Sequence, residues 1–173
     1  VARNITGAFY QSGQSCISVQ RIFVHEKIYS EFKKLFCAKV EKLEMGDPRK
    51  ETTFIGPMIS AKEAERVEAW IAEAKSQGAV ELVGGVREGL MVPATVLENV
   101  PPSAKICKEE AFGPVVILEK YSHFEDALKR INASRYGLQA GIFTRDLYKA
   151  LTAWDTLEVG GVLVGEVPSW RVD

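Results

Sequence analysis

Short runs rich in β-branched residues punctuate this chain at Ile17–Val24, Val80–Val83, Val92–Leu97, Val115–Leu118, Gly141–Thr144 and Val159–Val164. Each is long enough for a strand and too short for a helix. Several stay apolar through consecutive positions instead of alternating with polar ones. A strand wetted on one face alternates, so these are expected to be buried on both faces, as in a parallel sheet covered on two sides. Helical patterns lie between the runs, and strands alternating with helices predict an α/β fold: three layers, αβα, around a mostly parallel sheet.

Four helices are legible. Ile28, Phe32, Leu35, Phe36, Val40 and Leu43 recur at helical spacing, predicting an amphipathic helix from about Lys27 to Glu44, ended by Gly46, Asp47 and Pro48. Ser60 and Glu63 have the spacing of a capping box ahead of Ala64, Val67, Ile71 and Ala74, with Gly78 as the stop. Ser122 and Glu125 repeat that spacing, and Asp146 is an expected N-cap for a helix through Leu157. With 173 residues, no internal repeat and no polar linker, one domain over 1–173 is expected.

Charge excludes some classes of partner. The 22 basic and 23 acidic residues are interspersed and leave a net charge of -1, with no basic footprint for nucleic acid. No run approaches the roughly 20 apolar residues of a membrane span. The three cysteines, Cys16, Cys37 and Cys107, are odd in number and far apart, with only two histidines in the chain, so neither a disulfide framework nor a metal site is expected. Free thiols suit a reducing compartment, and the cytoplasm is the expected setting.

Most free cysteines are small buried hydrophobes. Cys16 has a different context, Phe9-Tyr10-Gln11-Ser12-Gly13-Gln14-Ser15-Cys16, at a helix-to-strand transition where Gly13 permits a turn that other residues resist. Phe9, Gly13, Gln14 and Cys16, followed by Arg21 and Phe23, resemble the F-x-x-x-G-Q-x-C segment of aldehyde dehydrogenases. Glu109-Glu110-Ala111-Phe112-Gly113-Pro114-Val115 is similar to the same family's E-E-x-F-G-P-V segment. Weaker similarity, at Gly56-Pro57, Gly84-Gly85 and Asn132 through Thr144, extends the resemblance along essentially the whole chain.

The resemblance implies a catalytic, nucleophile-bearing domain of an NAD- or NADP-dependent enzyme that oxidises a small aldehyde to an acid. Cys16 would be the nucleophile, passing through a thiohemiacetal and a thioester. Glu110 would bind the nicotinamide ribose, where a carboxylate can accept two hydroxyl bonds, and Phe112 would pack on the nicotinamide. Glu109 is expected to be structural. The cofactor-binding domain, the general-base glutamate and a subunit-bridging β-hairpin of this family, typically homodimeric or homotetrameric, would lie outside the chain. The G84-G85-V86-R87-E88-G89 stretch indeed lacks the spacing of a dinucleotide fingerprint.

Ser15 and Arg171 are candidate substrate contacts. The C-terminal segment from Glu166 is similar to a subset of the family acting on lactaldehyde-like or phosphorylated glyceraldehyde-like substrates, and the planar donors of Arg171 would suit an anionic or hydroxylated one. Arg66 is expected on a solvated helix face, Cys37 in packing, and His25 and His123 as surface or capping residues. Two readings of other classes remain: a cysteine hydrolase pairing Cys16 with a histidine, and a non-catalytic oligomerisation module with Cys16 buried. Within the first class, transfer of the acyl group to coenzyme A in place of water also stays open.

Overall fold

The computed structural model describes residues 1–170, which leaves Arg171 outside the described residues. Strands β1 (Arg21–His25), β2 (Val80–Val83), β3 (Thr95–Glu98) and β4 (Val115–Tyr121) form one sheet in the order β1-β4-β3-β2. The β1–β4 and β3–β4 pairs are parallel, and β2 is an antiparallel edge. A second, two-stranded parallel sheet joins β5 (Ala140–Ile142) to β6 (Val162–Val164). The expected mostly parallel sheet is present.

Apolar residues cover both faces of the larger sheet. Ile22, Val24, Val96, Val116 and Leu118 pack against Ile5, Ala8 and Phe9 of α1 (Ala2–Phe9) and Tyr29, Phe36 and Val40 of α2 (Glu26–Val40). On the other face Leu97, Val115 and Ile117 meet Ala64, Val67 and Ala74 of α3 (Ala61–Ser76) and Ile106 of α4 (Lys105–Lys108). These are the three layers. Fully burying each large aliphatic side chain contributes about 1.5–3 kcal/mol, and the run Val115–Leu118, at most 2% exposed, supplies both faces in turn. A smaller cluster of Leu128, Ala153 and Leu157 holds α5 (Phe124–Asn132) and α6 (Leu147–Thr156) to the second sheet.

Several local expectations hold. Ser60 Oγ accepts from the Glu63 N–H at 3.3 Å, and Asp146 Oδ1 caps α6 through the Tyr148 and Lys149 N–H groups. His25 Nδ1 accepts from the Lys27 N–H at 3.2 Å, so this histidine caps α2.

Others are corrected. The capping box expected at Ser122 and Glu125 does not form: α5 begins one residue later, with His123 at the N-cap and no side-chain cap. Helix α2 ends at Val40, and Ile28 and Leu35 are 55% and 48% exposed. Tyr29 takes the inward position on the face shared with Phe36 and Val40, and its hydroxyl donates to Glu98 Oε2 at 2.8 Å at the end of β3. The first strand starts at Arg21, four residues later than its apolar run. Ser18 Oγ donates to Ala8 O at 3.1 Å and Val19 N–H to Gly7 O at 2.9 Å, which holds that stretch against α1 and out of the ladder.

Candidate active site

Parallel pairing of β1 with β4 aligns Arg21 with Ile117, so the segments entering these strands, residues 11–20 and 109–114, lie side by side at their amino ends. Open α/β sheets usually bind ligands at the opposite, carboxyl ends. Here the motifs meet at the amino ends. A narrow cleft between them is lined by Gly13, Ser15, Ser18 and Gln20 on one side and Glu110–Gly113 and Val115 on the other.

The segment bearing Cys16 starts with a left-handed turn. Gln11, Ser12 and Gly13 have φ of 51°, 58° and 68°. Each non-glycine residue in that region carries steric strain, and such strain persists only when the surroundings over-determine it. Ser12 supplies the bracing: its buried hydroxyl donates to Gly56 O at 3.1 Å and accepts from Gly56 N–H at 2.8 Å. At Gly13 a Cβ would lie 2.0 Å from Gly113 O, so only glycine permits the two motif backbones to touch.

The side-chain amide of Gln14 donates to Pro57 O at 3.2 Å and accepts from Ile59 N–H at 2.8 Å. Beyond it, Ser15 is partly exposed in the cleft wall and Cys16 is exposed. By contrast Cys37 and Cys107 are half-buried, and burial raises both their thiol pKa values above the ordinary range. Cys37 packs against the core as expected.

Across the cleft, Glu110 is exposed and has no side-chain partner among the described residues, while Phe112 has φ 47° and is 40% exposed. Glu109 is engaged: it pairs with Arg135 and accepts from Tyr136 Oη at 3.3 Å, as expected of the structural member of the acidic pair. Arg66 is a correction. It does not lie on a solvated face: its Nη2 donates to Ala111 O at 2.7 Å, its Nε pairs with Glu63, and its guanidinium lies 4.4 Å from the centre of the Trp70 ring. The chain's compact approach of α3 to the 109–114 segment captures the side chain.

Gln20 and Ser12 do structural work that the motifs did not reveal. Gln20 Nε2 donates to Ile106 O and Glu109 O at 2.8 and 2.7 Å, and its Oε1 accepts from Ala111 N–H at 2.8 Å. An amide within the β-branched run 17–24 was the available signal, since a half-buried amide needs partners. Arg21 and Phe23, quoted in the motif, are structural: Arg21 and Arg130 both pair with Glu119 and flank the Phe23 ring.

Both histidines lie at the other end of the sheet. His25 closes β1 and aligns with Tyr121 at the end of β4, with His123 just beyond, whereas Cys16 precedes β1. Five residues of strand span about 16 Å, which separates either imidazole from the sulfur. Among the described residues no cluster of three or more His, Cys, Asp or Glu could hold a metal, and no helix is long and apolar enough to cross a membrane.

Two touching glycines, a braced turn and an exposed cysteine thus lie within the two motif segments. The chain belongs to the aldehyde dehydrogenase family, whose pattern it matches over residues 1–173. It is 47% identical to a 3-sulfolactaldehyde dehydrogenase of Priestia aryabhattai over 166 residues, 96% of this chain and 35% of that protein. It is also 41% identical to a lactaldehyde dehydrogenase of Methanococcus vannielii, covering 98% of this chain and 36% of the relative. Among solved structures it is similar to aldehyde dehydrogenase 21 of Physcomitrella patens in complex with the reaction product succinate: TM-score 0.97, 51% identity, 99% of this chain and 36% of that one. The glyceraldehyde-3-phosphate dehydrogenase GapN of Methanocaldococcus jannaschii, complexed with NADP, gives a TM-score of 0.94 at 36% identity over 99% of this chain and 37% of that one. The chain thus spans little more than a third of the length of these relatives.

Proposed function

We propose that this chain is the nucleophile-bearing part of an NAD- or NADP-dependent aldehyde dehydrogenase, with Cys16 forming the covalent bond to substrate. The observation that carries the reading is the contact of Gly13 with Gly113, which sets an exposed cysteine and an exposed carboxylate on segments that share one cleft. Family membership supplies the reaction class. Cys16 Sγ adds to the aldehyde carbon, and the carbonyl oxygen takes the negative charge. We assign the stabilisation of that charge in part to the Cys16 backbone N–H, a role in which a pre-aimed donor contributes about 3–4 kcal/mol.

Loss of hydride from the former aldehyde carbon leaves an acyl thioester on Cys16. Water attacks it, the carbon–sulfur bond breaks, and the acid leaves with the thiolate restored. Bound nicotinamide supplies the hydride acceptor. The residues present suit it: Glu110 offers a free carboxylate for a vicinal diol, and Phe112 offers a ring held out toward solvent. Transfer of the acyl group to the thiol of coenzyme A is the alternative last step.

A short aldehyde carrying an anionic group is the substrate class we favour, because the similar proteins include a 3-sulfolactaldehyde dehydrogenase and an enzyme in complex with its product succinate. Ser15, in the cleft wall, and Arg171 are the proposed substrate contacts in this chain. The general base and the greater part of the dinucleotide site are assigned to other parts of a longer enzyme, assembled as a homodimer or homotetramer in a reducing compartment. The isolated 173-residue chain is accordingly expected to lack turnover.

The test uses full-length enzyme and short aldehydes with and without a sulfonate, carboxylate or phosphate. Turnover should be fastest with one of the anionic aldehydes, and Cys16→Ser should lower it by about a thousandfold or more while leaving dinucleotide binding intact. Wild-type turnover by the serine variant would remove Cys16 from the mechanism.

A further inference from the structure

Phe112 occupies a left-handed backbone conformation that a bulky residue adopts only under constraint. The constraint is visible one residue earlier. Ala111, 2% exposed, is held at both ends of its backbone by side chains from two separate elements. Its N–H donates to Gln20 Oε1 at 2.8 Å, and its carbonyl accepts from Arg66 Nη2 at 2.7 Å. Gln20 also donates both amide hydrogens, to Ile106 O and Glu109 O. The amide can be oriented only one way, since turning it over would set its oxygen against two carbonyls.

On this basis we propose that Gln20 and Arg66 are positioning residues: together they clamp the Ala111 peptide and so hold Glu110 and Phe112, on either side of it, in the geometry that receives the dinucleotide. Neither residue needs to touch the ligand. The proposal rests on the nicotinamide reading above for its function, and on the hydrogen bonds alone for its structure.

The test compares full-length wild-type enzyme with Gln20→Ala and Gln20→Glu. Hydrogen exchange of the backbone amides in 106–113 should accelerate about tenfold in both, the scale of losing a hydrogen bond in a buried segment. Glutamate is expected to fail as a replacement, because its second carboxylate oxygen faces the carbonyls of Ile106 and Glu109. Equilibrium binding of NAD or NADP should weaken by about the same tenfold factor, while the rate of Cys16 alkylation by iodoacetamide stays near wild type. A merely structural role would slow or speed all three together.

Wild-type exchange in 106–113, or a proportional change in Cys16 alkylation, overturns the clamp. Accelerated exchange with unchanged dinucleotide affinity overturns its proposed role in binding. A wild-type enzyme that binds neither dinucleotide would instead defeat the nicotinamide reading, and the exchange rates would still decide whether the clamp exists. If Gln20→Ala does not fold, Arg66→Met, which removes the carbonyl end of the clamp together with the Glu63 ion pair, is read by the same three measurements.

Discussion

Residues 11–20 fasten themselves to their surroundings with their own side chains, whereas residues 109–114 are fastened by side chains reaching in from elsewhere. Ser12, Gln14 and Ser18 each bond to backbone groups of neighbouring segments. On the facing segment, Gln20, Arg66 and Arg135 do the holding, and Glu110 and Phe112 are left exposed, with no hydrogen bond or ion pair to the Glu110 side chain among the described residues. The side proposed to form a covalent bond is braced from within, and the side proposed to receive a diffusing ligand keeps its own polar groups unspent. Rigid support from outside and free groups within is how a binding surface is pre-organised without consuming its donors and acceptors.

The contrast is broken most severely at the point where the two segments touch. Gly13→Ala would place a methyl 2.0 Å from Gly113 O in a residue with φ 68°, so backbone must move. We expect a loss of at least about 3 kcal/mol in urea unfolding of the full-length enzyme, together with loss of turnover. A variant of native stability would mean that the segments are not in backbone contact.

A smaller effect is expected from Ser12→Ala, which leaves Gly56 N–H and O without their hydroxyl partner beneath the strained turn. Denaturant unfolding should show a cost of about 2 kcal/mol, and Cys16 alkylation should change because the turn that presents it loosens. If stability falls while alkylation does not change, Ser12 supports the core and not the presentation of Cys16.

Much of the larger sheet was legible because its determinants are local. The unbroken apolar run at Val115–Leu118 marks a strand covered on two sides, the run at Val92–Leu97 holds a strand that starts later, at Thr95, and the Ser60 and Asp146 caps mark two helix starts. The nucleophile segment was legible for the same reason: Gly13 and Cys16 sit within one short motif. What escaped depends on contacts distant in sequence. Arg66 reads as an exposed helix residue until Ala111, 45 positions away, is packed against it, and Gln20 carries no role in the sequence because its partners lie 86 to 91 positions away. The short helices α1 and α4 carry too few turns for periodicity to announce them.

The most direct test of Cys16 as nucleophile is to label full-length enzyme with limiting iodoacetamide, map each cysteine by mass, and follow turnover in the same samples. The thiolate is the reacting form, and burial both shields Cys37 and Cys107 and raises their pKa, so these two should react later than exposed Cys16, their rates rising at higher pH than an ordinary thiol's. We expect Cys16 to be labelled first and activity to fall in step with its modification, mole for mole. Full activity in enzyme whose Cys16 is completely alkylated would contradict its assignment as the nucleophile.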